Sequence, residues 1–100
     1  TPAGGVFPEE VEEMVKKSGG VADCLVVGVP DTEHADKIIA IVSIEEETEM
    51  EESFLHASSK KHLSEFKVPR GFIFVNQVRR GPNGKGDYKW AKELAVKNYE

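Results

Sequence analysis

Two apolar runs rich in β-branched residues stand near the middle of the chain, and they limit the fold more than any other feature. The first extends from Val21 to Val29, carries Leu25, Val26 and Val27, and ends at Pro30-Asp31. The second is Ile38-Ile39-Ala40-Ile41-Val42-Ser43-Ile44. Runs of this length and composition, bounded by turn residues, read as strands. A parallel crossover between strands takes roughly a dozen residues or more, and the connection here is shorter. The pair is therefore expected to be antiparallel. The second run is continuously apolar rather than alternating, which predicts a strand covered on both faces. Something must then pack on each side of the sheet.

The remaining segments supply candidates. Pro8-Glu9-Glu10 opens a helix, because proline is tolerated at the first helical position and acids there meet the positive end of the dipole. Val11, Met14 and Val15 recur at helical spacing, Lys16 and Lys17 occupy the last turn, and Gly19-Gly20 stop it. The acidic stretch from Glu45 to Glu52 reads as a solvated connection, in which Thr48-Glu49-Met50-Glu51 has the spacing of a capping box. The helix behind it is expected to bury Leu55, His62 or Leu63, and Phe66, and to end before Pro69. Phe72-Ile73-Phe74-Val75 is a third short strand. Asp87 can cap a last helix in which Trp90 and Leu94 share a face. The order helix, strand, strand, helix, strand, helix predicts a compact α+β domain, with a sheet of about three strands packed with about three helices.

Composition sets the outer bounds. At 100 residues, with 39% hydrophobic and 31% charged, the chain suits one soluble globular domain. No apolar run approaches the ~20 residues needed to cross a bilayer. Thr1-Pro2-Ala3-Gly4-Gly5 lacks the blocks of a signal peptide. Cys24 is the only cysteine, so no internal disulfide exists, and a reducing, cytoplasmic setting is the expectation. Net charge is −5, which disfavours a nucleic-acid partner, since phosphate neutralisation dominates that affinity. The charge is divided unevenly. Residues 1–59 hold fourteen acids and three lysines, whereas residues 60–92 hold nine Lys/Arg and two acids. Such a split points the C-terminal third toward something anionic.

The usual sites are missing. His34, His56 and His62 have no short metal-ligand spacing and no cysteine partner, so no metal site is expected. Cys24 sits within an apolar strand and reads as a small buried hydrophobe. No glycine-rich loop follows a strand in a nucleotide-binding pattern. One loop differs: Arg79-Arg80-Gly81-Pro82-Asn83-Gly84-Lys85-Gly86-Asp87. Pro82 suits the second position of a β-turn, and Asn83 and Gly84 tolerate left-handed backbone. Such a loop can extend the Lys85 ammonium away from the domain body.

Four segments together resemble the C-terminal domain of the adenylate-forming (acyl-activating) enzyme superfamily. They are Gly4-Gly5-Val6-Phe7-Pro8-Glu9-Glu10-Val11-Glu12, Val26-Val27-Gly28-Val29-Pro30-Asp31, Phe66-Lys67-Val68-Pro69-Arg70 with Phe72-Ile73-Phe74-Val75, and Pro82-Asn83-Gly84-Lys85. The Asp87-Tyr88-Lys89-Trp90-Ala91-Lys92 tail is most similar to fatty-acyl and related acyl-CoA synthetases. Two departures stand out: Val6 alone separates the glycine pair from Phe7, and Ala35-Asp36 replaces the family's usual Gly-Glu.

The resemblance implies that residues 6–97 form the domain. Residues 1–5 would be a linker or the remnant of a hinge-proximal loop, and 98–100 a tail. It implies a mobile domain that works against a large N-terminal adenylation domain of the same polypeptide. ATP, acyl-adenylate and CoA would lie at that interface, with Mg2+ held by the N-terminal domain. Lys85 would be the catalytic lysine, Gly4 and Gly5 part of the CoA face, and Arg79 and Arg80 phosphate-binding. The isolated domain would be inactive. Two other readings share this fold: the C-terminal domain of an enzyme that acylates a carrier protein, and a free-standing, non-catalytic interaction domain.

Overall fold

The computed structural model describes residues 7–30, 36–64 and 67–99. Gly4, Gly5, Asp31, Ala35 and Phe66 lie outside them. The elements are α1 (Pro8–Lys16), β1 (Val21–Val29), β2 (Lys37–Ile44), α2 (Glu52–Lys60), β3 (Gly71–Val75) and α3 (Tyr88–Tyr99), in the predicted order. The sheet runs β1-β2-β3. β1 and β2 are antiparallel, with Val26 opposite Ala40, and β3 joins β2 in parallel, with Ile41 opposite Ile73. The α2 connection supplies the crossover that a parallel pair needs.

β2 is covered on both faces, as its unbroken apolar run requires. On one face Cys24, Val26, Ile38, Ala40, Val42 and Phe72 pack with Val11 and Val15 of α1 and Leu55 of α2. On the other, Leu25, Val27, Val29, Ile39 and Ile41 meet Ala91 and Ala95 of α3, with Trp90 and Leu94 at the margin. Small residues on α3 let the helix approach the sheet closely, and Trp90 and Leu94 close its sides.

β1 carries one irregularity. Val21 pairs with Ile44 and Asp23 with Ser43, so Ala22 is an extra residue in a bulge. A bulge inverts the alternation of side chains beyond it. Val21 and Cys24 consequently both join the α1 side of the sheet. Asp23, beyond the bulge, follows the regular alternation and lies on the α3 side with Leu25 and Val27.

Two local expectations need correction. The capping box is absent: α2 begins at Glu52, and its N-cap Glu51 makes no side-chain cap bond. Thr48 is taken up instead by a turn in which its N–H donates to Glu45 O and Glu47 adopts φ 61°. α2 also ends sooner than predicted, with Lys61 as its C-cap. Ser59 there turns its hydroxyl back onto the Leu55 carbonyl, a bond that weakens helix propagation. Leu63 still reaches the core, whereas His62 is exposed.

Candidate functional site

The loop after β3 is a miniature hairpin. Gly84 N–H donates to Gly81 O at 2.9 Å, closing a turn with Pro82 and Asn83 at its centre, and Gly84 takes φ 83°. Gly81 N–H donates to Lys85 O at 2.8 Å and Asp87 N–H to Arg79 O at 2.9 Å, while Arg80 and Gly86 form an antiparallel bridge. The Asn83 side-chain oxygen accepts from Lys85 N–H at 3.1 Å. Lys85 is thus held by its backbone on both sides. Its side chain is exposed, and among the described residues the ammonium has no hydrogen-bond or ion-pair partner.

The hairpin is fastened to β1 by a run of contacts. Arg80 meets Asp23 in a two-pronged pair, with Nε to Oδ2 at 2.7 Å and Nη2 to Oδ1 at 2.8 Å. Its Nη1 donates to Gly84 O at 2.9 Å. The same carboxylate accepts from Cys24 N–H at 2.8 Å. The bond from Arg80 holds the Asp23 carboxyl below its ordinary range, and burial offsets part of that effect. The pairing raises the already high pKa of Arg80. Gly86 passes so close to β1 that a Cβ there would run into the fully buried Leu25 side chain.

Beyond Gly86, Asp87 caps α3, its Oδ1 accepting from Trp90 N–H at 3.0 Å. Tyr88 then donates its hydroxyl to Glu12 Oε2 at 2.7 Å. That oxygen also accepts from Val26 N–H at 2.9 Å. β1 is an edge strand, so a carboxylate from α1 satisfies a donor that the ladder leaves open. Burial raises the Glu12 pKa, with the two hydrogen bonds pulling the other way. Burial and the bond to Glu12 together raise that of the Tyr88 phenol. Lys92 donates its ammonium to Gly28 O. Residues 80, 86 and 92 therefore meet β1 in order along its length, and Tyr88 reaches it through Glu12 of α1.

Of the residues singled out from sequence, Lys85, Arg79 and Arg80 come together in this hairpin, and Gly4 and Gly5 are outside the described residues. The two arginines diverge. Arg80 turns to Asp23, whereas Arg79 lies over the Trp90 ring, 5.4 Å from its centroid. Glu12, Asp23, Gly86 and Tyr88 were not anticipated. Asp23 carried a signal, being an acid inside an otherwise apolar strand. So did Glu12, which sits between Val11 and Val15, two residues of the buried helix stripe.

Other chemistry finds little support here. Among the described residues no three His, Cys, Asp or Glu side chains gather as a metal site. Cys24 is fully buried and burial pushes its thiol pKa up, which makes it a poor nucleophile. No described helix is long and apolar enough to cross a membrane.

Known proteins give this geometry its context. A 3-oxocholest-4-en-26-oate–CoA ligase from Rhodococcus rhodochrous is 39% identical over 88 residues, which is 88% of this chain and 16% of that protein. A medium/long-chain-fatty-acid–CoA/3-oxocholest-4-en-26-oate–CoA ligase from Mycobacterium tuberculosis is 41% identical, again over 88% of this chain and 16% of the relative. Among solved structures, apo MatB from Rhodopseudomonas palustris superposes with a TM-score of 0.89 at 26% identity, covering all of this chain and 20% of that one. The chain thus spans about a sixth of the length of these ligases. Residues 10–85 match the family described as AMP-binding enzyme C-terminal domain, a match that ends on Lys85 itself. The chain belongs to the AMP-binding enzyme C-terminal domain family.

Proposed function

We propose that this chain is the mobile C-terminal domain of an ATP-dependent acyl-CoA synthetase, and that Lys85 is its catalytic residue. The observation that carries this reading is the hairpin: a lysine held by its backbone on both sides, with an exposed and unpartnered ammonium. The names of the ligase relatives supply the reaction class.

In the first half-reaction a carboxylate oxygen attacks the α-phosphorus of ATP, and pyrophosphate leaves with the electrons of the broken P–O bond. Charge concentrates between the attacking carboxylate and the phosphorus. An ammonium placed there lowers the barrier, and loss of such a donor typically costs ~3–4 kcal/mol, or about 10²–10³ in rate. A compact charge on a long stem suits delivery across a domain interface. Arg79, exposed beside the hairpin, is the nearby candidate for a phosphate contact. In the second half-reaction the domain turns, Lys85 withdraws, and the face near Gly4 and Gly5 lines the path of the CoA thiol to the acyl-adenylate. Mg2+, with the acyl and nucleotide pockets, belongs to the N-terminal adenylation domain in this reading.

The test separates the halves. In the full-length enzyme, Lys85→Ala is expected to reduce carboxylate-dependent pyrophosphate release by about 10²–10³, while supplied acyl-adenylate is still converted to the thioester. Unchanged pyrophosphate release would sink the reading.

A further inference from the structure

We propose that Arg80, locked in place by Asp23, is a positioning residue that sets the direction in which Lys85 leaves the domain. The inference rests on the adenylation role given to Lys85 above.

The backbone bonds of the hairpin tie its two limbs to each other, not to the sheet. Gly81 to Lys85, Gly84 to Gly81 and Asp87 to Arg79 would all survive if the hairpin rocked as a unit. The guanidinium of Arg80 closes that freedom. Two of its N–H groups grip the Asp23 carboxylate on β1, and a third reaches forward to the carbonyl of Gly84. That carbonyl belongs to the peptide unit directly before Lys85. One planar group therefore joins the sheet to the peptide that orients the lysine. Guanidinium geometry is rigid, so two points fixed on Asp23 determine where the third points.

Asp23 is itself held from behind. Cys24 N–H donates to its Oδ1, and alternation with Leu25 and Val27 puts the side chain on the α3 side of the sheet, where the hairpin lies. The acid, the arginine and the Gly84 carbonyl form one chain of fixed geometry ending at Lys85.

Direct phosphate binding by Arg80 predicts a different response. Asp23 neutralises the guanidinium, so Asp23→Asn would leave more positive charge facing an anionic nucleotide. Direct binding then gives an unchanged or faster adenylation and a lower KM for ATP. Positioning gives a lower kcat, because a misplaced catalytic group is costly even when the charge is still present.

In the full-length enzyme, Asp23→Asn should lower kcat for carboxylate-dependent ATP–pyrophosphate exchange by ~10- to 100-fold. KM for ATP should not rise, and conversion of supplied acyl-adenylate should be retained, which also reports a folded domain. Arg80→Gln should behave alike. In a Lys85→Ala background neither substitution should reduce the residual exchange further, since a residue acting through Lys85 has nothing left to act on.

An unchanged kcat in Asp23→Asn overturns the proposal, as does an equal loss in the Lys85→Ala background or a parallel loss in the thioester half. A raised KM for ATP in Arg80→Gln, with Asp23→Asn silent, overturns it in favour of direct phosphate binding. If Lys85→Ala leaves exchange intact, the adenylation role itself fails and this inference with it. If Lys85→Ala is defective and Asp23→Asn is not, the positioning role alone fails.

Discussion

Arg80–Asp23 fastens the Lys85 hairpin to β1 before the lysine, Tyr88–Glu12 ties the start of α3 to the same strand through α1, and the two differ in kind. The first is a charge pair at the surface, with the arginine and aspartate side chains 33% and 24% exposed. The second is built around Glu12, only 6% exposed, whose single oxygen accepts from both a strand N–H and a phenol. A surface ion pair contributes little to stability, because water competes for both partners. A buried carboxylate with two donors is costlier to disturb, because the buried strand N–H that it satisfies cannot turn to water. The first anchor is thus suited to aiming the hairpin and the second to holding the domain together. A carboxylate serves either purpose, according to its partner and its burial.

The sharpest way to break this comparison is to remove the buried acceptor. Glu12→Ala strands the Val26 N–H and removes the partner of the Tyr88 hydroxyl, and is expected to destabilise the chain by on the order of 3 kcal/mol in urea unfolding. Tyr88→Phe removes one of those bonds and should cost about 2 kcal/mol. Gly86→Ala comes next. Its new methyl must displace the buried Leu25 side chain or lift the hairpin, an overpacking effect of about 1–3 kcal/mol. Asp23→Asn should lie within ~1 kcal/mol in the same assay. A larger loss there, matching that of Glu12→Ala, would erase the distinction between an aiming and a holding anchor.

The smallest effects concern pH, and there the two acids should have opposite signs. Burial raises the Glu12 pKa above its ordinary 4.5, so its ionisation works against folding. The native chain therefore gains stability relative to Glu12→Gln as pH falls from above the raised value to below the ordinary one. Asp23 is held below its ordinary 3.8, so its contribution is present above that value. It is lost, relative to Asp23→Asn, as pH falls through the depressed value. Unfolding free energies of the native chain and the two variants, measured from pH 7 to pH 3, give both signs. Slopes of the same sign would count against the assignment of burial to one acid and pairing to the other.

Much of the hairpin was legible beforehand, and for a local reason. Pro82, Asn83 and Gly84 have backbone preferences that act within four residues, so the turn and the exposed lysine follow from sequence alone. Asp87 as a cap is equally local. Thr48 shows the limit of that reasoning: its spacing suits a capping box, but the Glu45–Thr48 turn claimed it instead. The partners of Arg80 and Tyr88 were not legible, because 57 residues separate Arg80 from Asp23 and 76 separate Tyr88 from Glu12. The resemblance implied a phosphate-binding role for Arg80 and said nothing of a partner on β1. Only the course of β1 beneath the hairpin brings Asp23 to it.

The sequence by itself determined the element order, the antiparallel pairing of β1 with β2, the doubly covered β2 and the turn that presents Lys85. Each of these rests on periodicity, connection length or turn chemistry, which act over short stretches of chain. The tertiary structure alone decided that β3 joins β2 in parallel and that Asp23 of β1 meets Arg80. It alone placed a carboxylate of α1 on the free edge of β1. Those outcomes depend on which distant groups become neighbours when both faces of the sheet are closed, and single-residue preferences do not encode that choice.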